Sequence, residues 1–113
     1  MEHAARFEEV RIQLPEPLDG VDALSAVVGI PEWWPTGARV AVALAHGAGS
    51  DLNDPLIELL HRDLAARKYL TVRFNFPFAE AGRPAREDED LEVLERAFRA
   101  ALSVLGRIPA EHR

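Results

Sequence analysis

Residues 39–76 constrain this chain more than any other stretch. They read "RVAVALA", then "HGAGSDLND", then a segment opening on Pro55, then "YLTVRFNF". Residues 39–45 are apolar throughout after the arginine, the pattern of a short strand covered on both faces, as in a parallel sheet. Asp54 and Pro55 read as a helix N-cap and first helical residue. Leu56, Ile57, Leu60 and Leu64 then mark one helical stripe to about Arg67. Residues 69–76 are β-branched and aromatic, a strand that Pro77 stops. This order is a βαβ unit, whose strands are expected to be parallel and whose crossover is expected to be right-handed.

The flanks extend the pattern. In residues 7–14, Val10, Ile12 and Leu14 alternate with Arg11 and Gln13, as in a half-exposed strand, which Pro15 and Pro17 end before the "LDG" turn. Residues 22–30 form a second strand with Leu24, Ala26 and Val28 on one face. Pro31, Pro35 and Gly37 punctuate a loop carrying Trp33 and Trp34. These two read as a hydrophobic lid over the sheet edge, with ligand stacking as the alternative. A long loop follows Pro77, and a second helix is expected to begin at Asp88 or Glu89. It carries Leu91, Leu94, Phe98, Ala101, Leu102 and Leu105 on one face and stops at Gly106, with Pro109 beyond. The expected class is α/β, with a sheet that begins antiparallel and becomes parallel, in the single domain that 113 residues allow.

Charge and composition narrow the function. A net charge of −6 with scattered basic residues argues against nucleic acid. No cysteine is present, which excludes disulfides, zinc–thiolate sites and a cysteine nucleophile. His3, His46, His61 and His112 lack metal-ligand spacing, so no metal is expected. Neither a P-loop nor G-x-G-x-x-G occurs, and no cofactor is expected. The charged N-terminus has no signal-peptide core, and no apolar run is long enough to span a membrane, so the expected setting is cytoplasmic.

The turn after residues 39–45 is the chemical focus. Glycine-rich turns between a buried strand and a helix bring backbone N–H groups close to an anion or oxyanion. His46, Gly47, Ala48 and Gly49 form such a turn at the carboxyl end of a strand, where open α/β sheets bind ligands. A tight strand-to-helix turn with no ligand is the plainer reading of the same spacing. Ser50, Asp51, Asp54 and His61 lie nearby in sequence, but a serine nucleophile needs an oriented base, and sequence proximity does not supply one. Ser50 reads as a turn or capping hydroxyl, and His46 as a prop bonding its ring to backbone. His61 falls on the following helix, with a solvent-facing orientation open to it. Arg73 reads as a solvent-facing or loop-bonded arginine, with anion binding as the alternative. "REDED", residues 86–90, reads as a solvated loop and acidic helix start. Ser25 and Ser103 occupy ordinary strand and helix positions.

"HGAGSD", followed some two dozen residues later by "RFNFPF", resembles the dienelactone-hydrolase-like branch of the α/β-hydrolase superfamily. The likeness covers residues 9–105. It implies a sheet of about four strands in the order 1-2-4-3 with two main helices, and serine-type ester or acyl hydrolysis by the complete protein. It further implies an oxyanion loop at His46, Gly47, Ala48 and Gly49, with Ala48 as the matching donor. The substrate mouth would include Ser50, Asn75, Phe76 and Pro77. Where this branch often has a histidine before the proline, this chain has Asp54.

The resemblance also says what is missing. No G-x-S-x-G elbow occurs, and the triad acid and histidine would follow it in chain order. The chain therefore reads as the N-terminal part of an α/β-hydrolase-like domain, a truncated form with little activity alone and a small ester or acyl substrate once completed. The competing reading is a non-catalytic α/β module. In either case residues 39–45 would be a sheet edge, inviting a homodimer, strand exchange or a partner chain.

Overall fold

A computed structural model describes residues 5–31 and 40–111, the last three of these as backbone only. Trp33, Trp34 and Arg39 lie outside the described residues. Four strands, β1 (Arg6–Leu18), β2 (Val21–Ile30), β3 (Ala41–Ala45) and β4 (Leu70–Phe74), form one sheet in the order β1-β2-β4-β3. β1 pairs antiparallel with β2, β2 antiparallel with β4, and β3 parallel with β4. Three helices complete the order: α1 (Pro55–Ala66), α2 (Pro77–Glu80) and α3 (Leu91–Glu111). The expected mixed α/β sheet is therefore present, in the expected strand order.

The sheet uses its two faces differently. Leu24, Ala26, Val28 and Ile30 of β2 and Leu70, Val72 and Phe74 of β4 pack with Ala97, Ala101, Val104, Leu105 and Ile108 of α3 in the main apolar core. The alternate residues of β4, Thr71 and Arg73, point to the opposite face, where His61 of α1 bonds Arg73.

Several boundaries depart from expectation for identifiable reasons. β1 runs through Pro15 and Pro17 to Leu18, because it is an edge strand whose register shifts between Gln13 and Leu18, and both settings tolerate proline. The turn that follows is built by Asp19 and Gly20, both at positive φ, as a tight hairpin requires. β3 is not covered on both faces: Ala41 and Ala45 are exposed and the three residues between are half-buried. Pro77 begins α2 instead of ending structure. α3 starts at Leu91 and passes through Gly106 and Pro109, since Ile108 beyond the glycine is buried against the sheet with Val104 and Leu105.

The buried faces of the helices also differ from the leucine stripes. On α1, Leu56 and Leu60 are exposed and the fully buried side chain is His61, with Ala65 beside it. On α3, Leu91 and Leu102 are exposed, while Ala97 and Ala101 lie flat on the core. Small residues there let the helix approach the sheet closely, so the seam runs through Ala97 and Ala101 to Val104, Leu105 and Ile108 and leaves out Leu91 and Leu102. No described helix is long and apolar enough to cross a membrane.

Candidate functional site: two loops at one end of the sheet

Because β3 and β4 are parallel, the loops that leave them emerge at the same end of the sheet. The first begins at His46 and the second at Asn75. One ring joins them. Phe76 N–H donates to His46 Nε2 at 3.0 Å, and Nδ1 lies 2.8 Å from the Gly47 carbonyl oxygen. Nε2 must be unprotonated to accept, so the ring is the tautomer whose Nδ1–H donates to Gly47. His46 is buried and stands edge-on to Phe76 and Phe78, with centroids 5.2 and 5.3 Å away.

The glycine loop itself is a short turn, closed by Ser50 N–H donating to the Gly47 carbonyl at 3.2 Å. Ala85 N–H donates to the Ala48 carbonyl at 2.8 Å, which ties the turn to the segment after α2. Gly47, Ala48 and Gly49 are exposed, and among the described residues their own N–H groups donate to nothing. Neither Gly47 nor Gly49 has positive φ, and a Cβ at either would meet no atom within 4 Å. Neither glycine is therefore required by backbone conformation or by crowding.

Ser50 belongs to the helix start. Its Oγ donates to Asp54 Oδ2 at 2.9 Å, while Asp54 Oδ1 accepts from Leu56 N–H at 2.9 Å and Ile57 N–H at 3.3 Å. The Ser50 bond, followed by the two backbone N–H bonds, holds the Asp54 carboxyl below its usual range. No histidine is among the hydrogen-bond partners of Ser50, so serine and base are not assembled as a nucleophilic pair here.

The second loop is pinned by Asn75. Its Oδ1 accepts from Leu52 N–H at 2.8 Å and its Nδ2 donates to Glu80 Oε1 at 3.2 Å. Glu80, on α2, also accepts from Ser25 N–H at 2.7 Å, Ser25 Oγ at 3.0 Å and Arg11 Nη1 at 3.0 Å. Burial pushes its carboxyl up, but the bonds from Ser25, Asn75 and Arg11 outweigh burial and leave it below its usual range. Sequence reasoning missed Glu80. The available signal was Pro77 read as a first helical residue, which would have placed Glu80 on a short helix facing back to β2. Phe76 is half-buried, packs edge-on to Phe74 and stacks beside Phe78, and Pro77 is buried.

Between the loops lies a cleft of about 480 Å³, bordered by Gly49, Ser50, Asp54, Ala79, Arg83 and Pro84. Arg83 is held there by Asp19 and by Glu89, the latter at 2.9 Å. Glu89 also accepts from Arg86 N–H at 2.6 Å. Arg83 first, then that N–H, hold the Glu89 carboxyl down at about 2. Glu89 is thus a structural anchor within "REDED", where sequence reading expected only a solvated run.

Residues 38–111 match the family described as an alpha/beta hydrolase domain. No curated protein matches the chain.

Proposed function

The chain belongs to an alpha/beta hydrolase domain family, and from this premise we propose that it forms the oxyanion side of a serine-type ester or acyl hydrolase of the dienelactone-hydrolase-like branch. The observation that carries the reading is the His46 bridge. It sets the glycine loop against the Asn75–Pro77 loop at the end of the sheet where ligands bind in α/β folds. The N–H groups of the exposed residues Gly47, Ala48 and Gly49, with no acceptor among the described residues, suit a developing negative charge. The open space around both glycines leaves room for that group to approach. Phe76 and Pro77 wall the mouth, and Asn75 acts by holding the loop. No G-x-S-x-G occurs in the 113 residues, so the nucleophile, acid and base come from outside them.

The test is a residue-resolved NMR titration with an alkyl phosphonate, whose tetrahedral oxyanion mimics the charge to be stabilised. The expected result is saturable amide shifts concentrated at residues 47–49. Shifts absent there, or larger elsewhere, would overturn the reading.

A second reading rests on the sheet edge. β3 is half-exposed, and Val40, Leu56 and Leu60 beside it or on α1 are 48%, 61% and 41% exposed. An apolar edge of this kind pairs readily with another strand. Sedimentation analysis that finds a dimer dispersed by Val42→Lys would favour a self-associating module. A monomer at all concentrations would dismiss it.

A further inference from the structure

Arg73 is the arginine that the hydrolase reading leaves unused. It is buried, at 9% exposure, on the α1 face of β4. Arg11, Arg62, Arg67, Arg83, Arg96 and Arg99 each stand against a carboxylate. Among the described residues, no carboxylate comes within 4.0 Å of Arg73. Its Nη1 donates to His61 Nδ1 at 2.9 Å, and its buried Nε has no partner. Glu58 and Glu9 act on it only from beyond ion-pair distance, and a desolvated cation with no directly paired carboxylate is costly.

His61 orients the guanidinium without neutralising it. With Nδ1 accepting, the ring is neutral and its proton sits on Nε2. Arg73 in turn lines an open cleft of about 510 Å³ together with Glu9, Arg11, Ser25, Asn53 and Asn75, a size suited to a small molecule. Arg11, Ser25 and Asn75 are engaged by Glu80. Since Arg11 is engaged only through Nη1, the donors on the wall of this space are Arg73, the exposed Asn53 side chain and the remaining nitrogens of Arg11.

We propose that this cleft binds a small carboxylate monoanion, held by the Arg73 guanidinium with Asn53 assisting. With Nη1 on His61 and Nε buried, the carboxylate is met at the Nη2 end of the guanidinium by a charge-assisted hydrogen bond. Glu9, on the rim, sets the limit on charge, since a dianion would meet its carboxylate. The cleft does not include the glycine loop, although Asn53 also lines the cleft beside Ser50 and Asn75 belongs to the second loop, and the proposal does not depend on the hydrolase reading.

The test follows the Arg73 Nε–Hε resonance of the full chain during titration with sodium benzoate. Parallel arms use neutral benzamide, sodium phosphate, and sodium chloride at matched ionic strength. Benzoate should shift the resonance saturably, phosphate should bind more weakly, and benzamide and chloride should leave it unmoved. Asn53→Ala, on the surface, should weaken benzoate about 3- to 10-fold without disturbing the fold. Arg73→Met should abolish the site, with dispersion of the remaining spectrum checking that it folds. A wild-type resonance that does not saturate, or that moves equally with chloride or benzamide, overturns the proposal. So does unweakened binding in Asn53→Ala, and tighter binding of phosphate overturns the monoanion assignment.

Discussion

His46 and Phe76 meet through a 3.0 Å bond from the Phe76 backbone N–H to the histidine ring, thirty positions apart in sequence. The same ring bonds Gly47, so this side chain, together with Asn75 on Leu52 N–H, sets the spacing between the two loops. His46→Ala would orphan the Phe76 N–H, leave the Gly47 carbonyl with only the Ser50 N–H, and remove the ring packed on Phe76 and Phe78. The expected loss is about 2–4 kcal/mol in urea unfolding, with the largest amide shift changes at residues 47–49 and 76.

Glycine substitutions should separate fold from site. A Cβ at Gly29 would lie 2.7 Å from Thr71 Oγ1 and 2.8 Å from His61 Nε2. Both are buried, so Gly29→Ala should destabilise by about 1–3 kcal/mol. Gly49→Ala meets nothing within 4 Å, and its unfolding midpoint should stay within about 0.5 kcal/mol of the parent.

The buried histidine should make stability depend on pH. Burial, and then the Arg73 guanidinium, push His61 down from 6.5 to about 4. Between those values the unfolded chain binds a proton that the folded chain refuses. Stability contributed by the neutral ring is therefore full above about 6.5 and lost as pH falls toward 4, by up to about 3 kcal/mol. His61→Gln keeps an acceptor for Arg73 without titrating. Denaturation midpoints from pH 7.5 to 4.5 should fall less steeply in this variant than in the parent.

Lys68 holds a φ of 80°, in the left-handed region, just after the α1 C-cap at Arg67. It is exposed, so its side chain contributes little there. Lys68→Gly should relieve the backbone and raise stability by about 1 kcal/mol, read from the thermal midpoint.

What the sequence reveals here follows from the range of the forces involved. The strands and the Asp54–Pro55 helix start are governed by local pattern and are found close to where it places them, whereas the strand order is what the family resemblance implies. α1 deceives because Leu56 and Leu60 keep helical spacing with Ile57 and Leu64, whereas the sheet presents Arg73 and a glycine gap at Gly29 that accept His61. The sheet's chemistry, and not the helix's periodicity, chooses the buried face. Pro15 and Pro17 read as stops because their tolerance depends on β1 lying at an edge. In the site, His46 as a backbone prop is readable from its place after an apolar strand. The Asn75–Glu80–Ser25 network is not, since Ser25 lies 55 positions from Glu80 and meets it only through the fold.

The most direct test of the central claim is p-nitrophenyl acetate hydrolysis by the purified chain, beside Ser50→Ala and a buffer blank. The account predicts that the chain and the variant both match the blank, since the hydroxyl of Ser50 is bonded to Asp54, the helix cap, and no described histidine bonds it. A rate clearly above the blank and lost in Ser50→Ala would contradict it, because the glycine turn would then carry a nucleophile of its own.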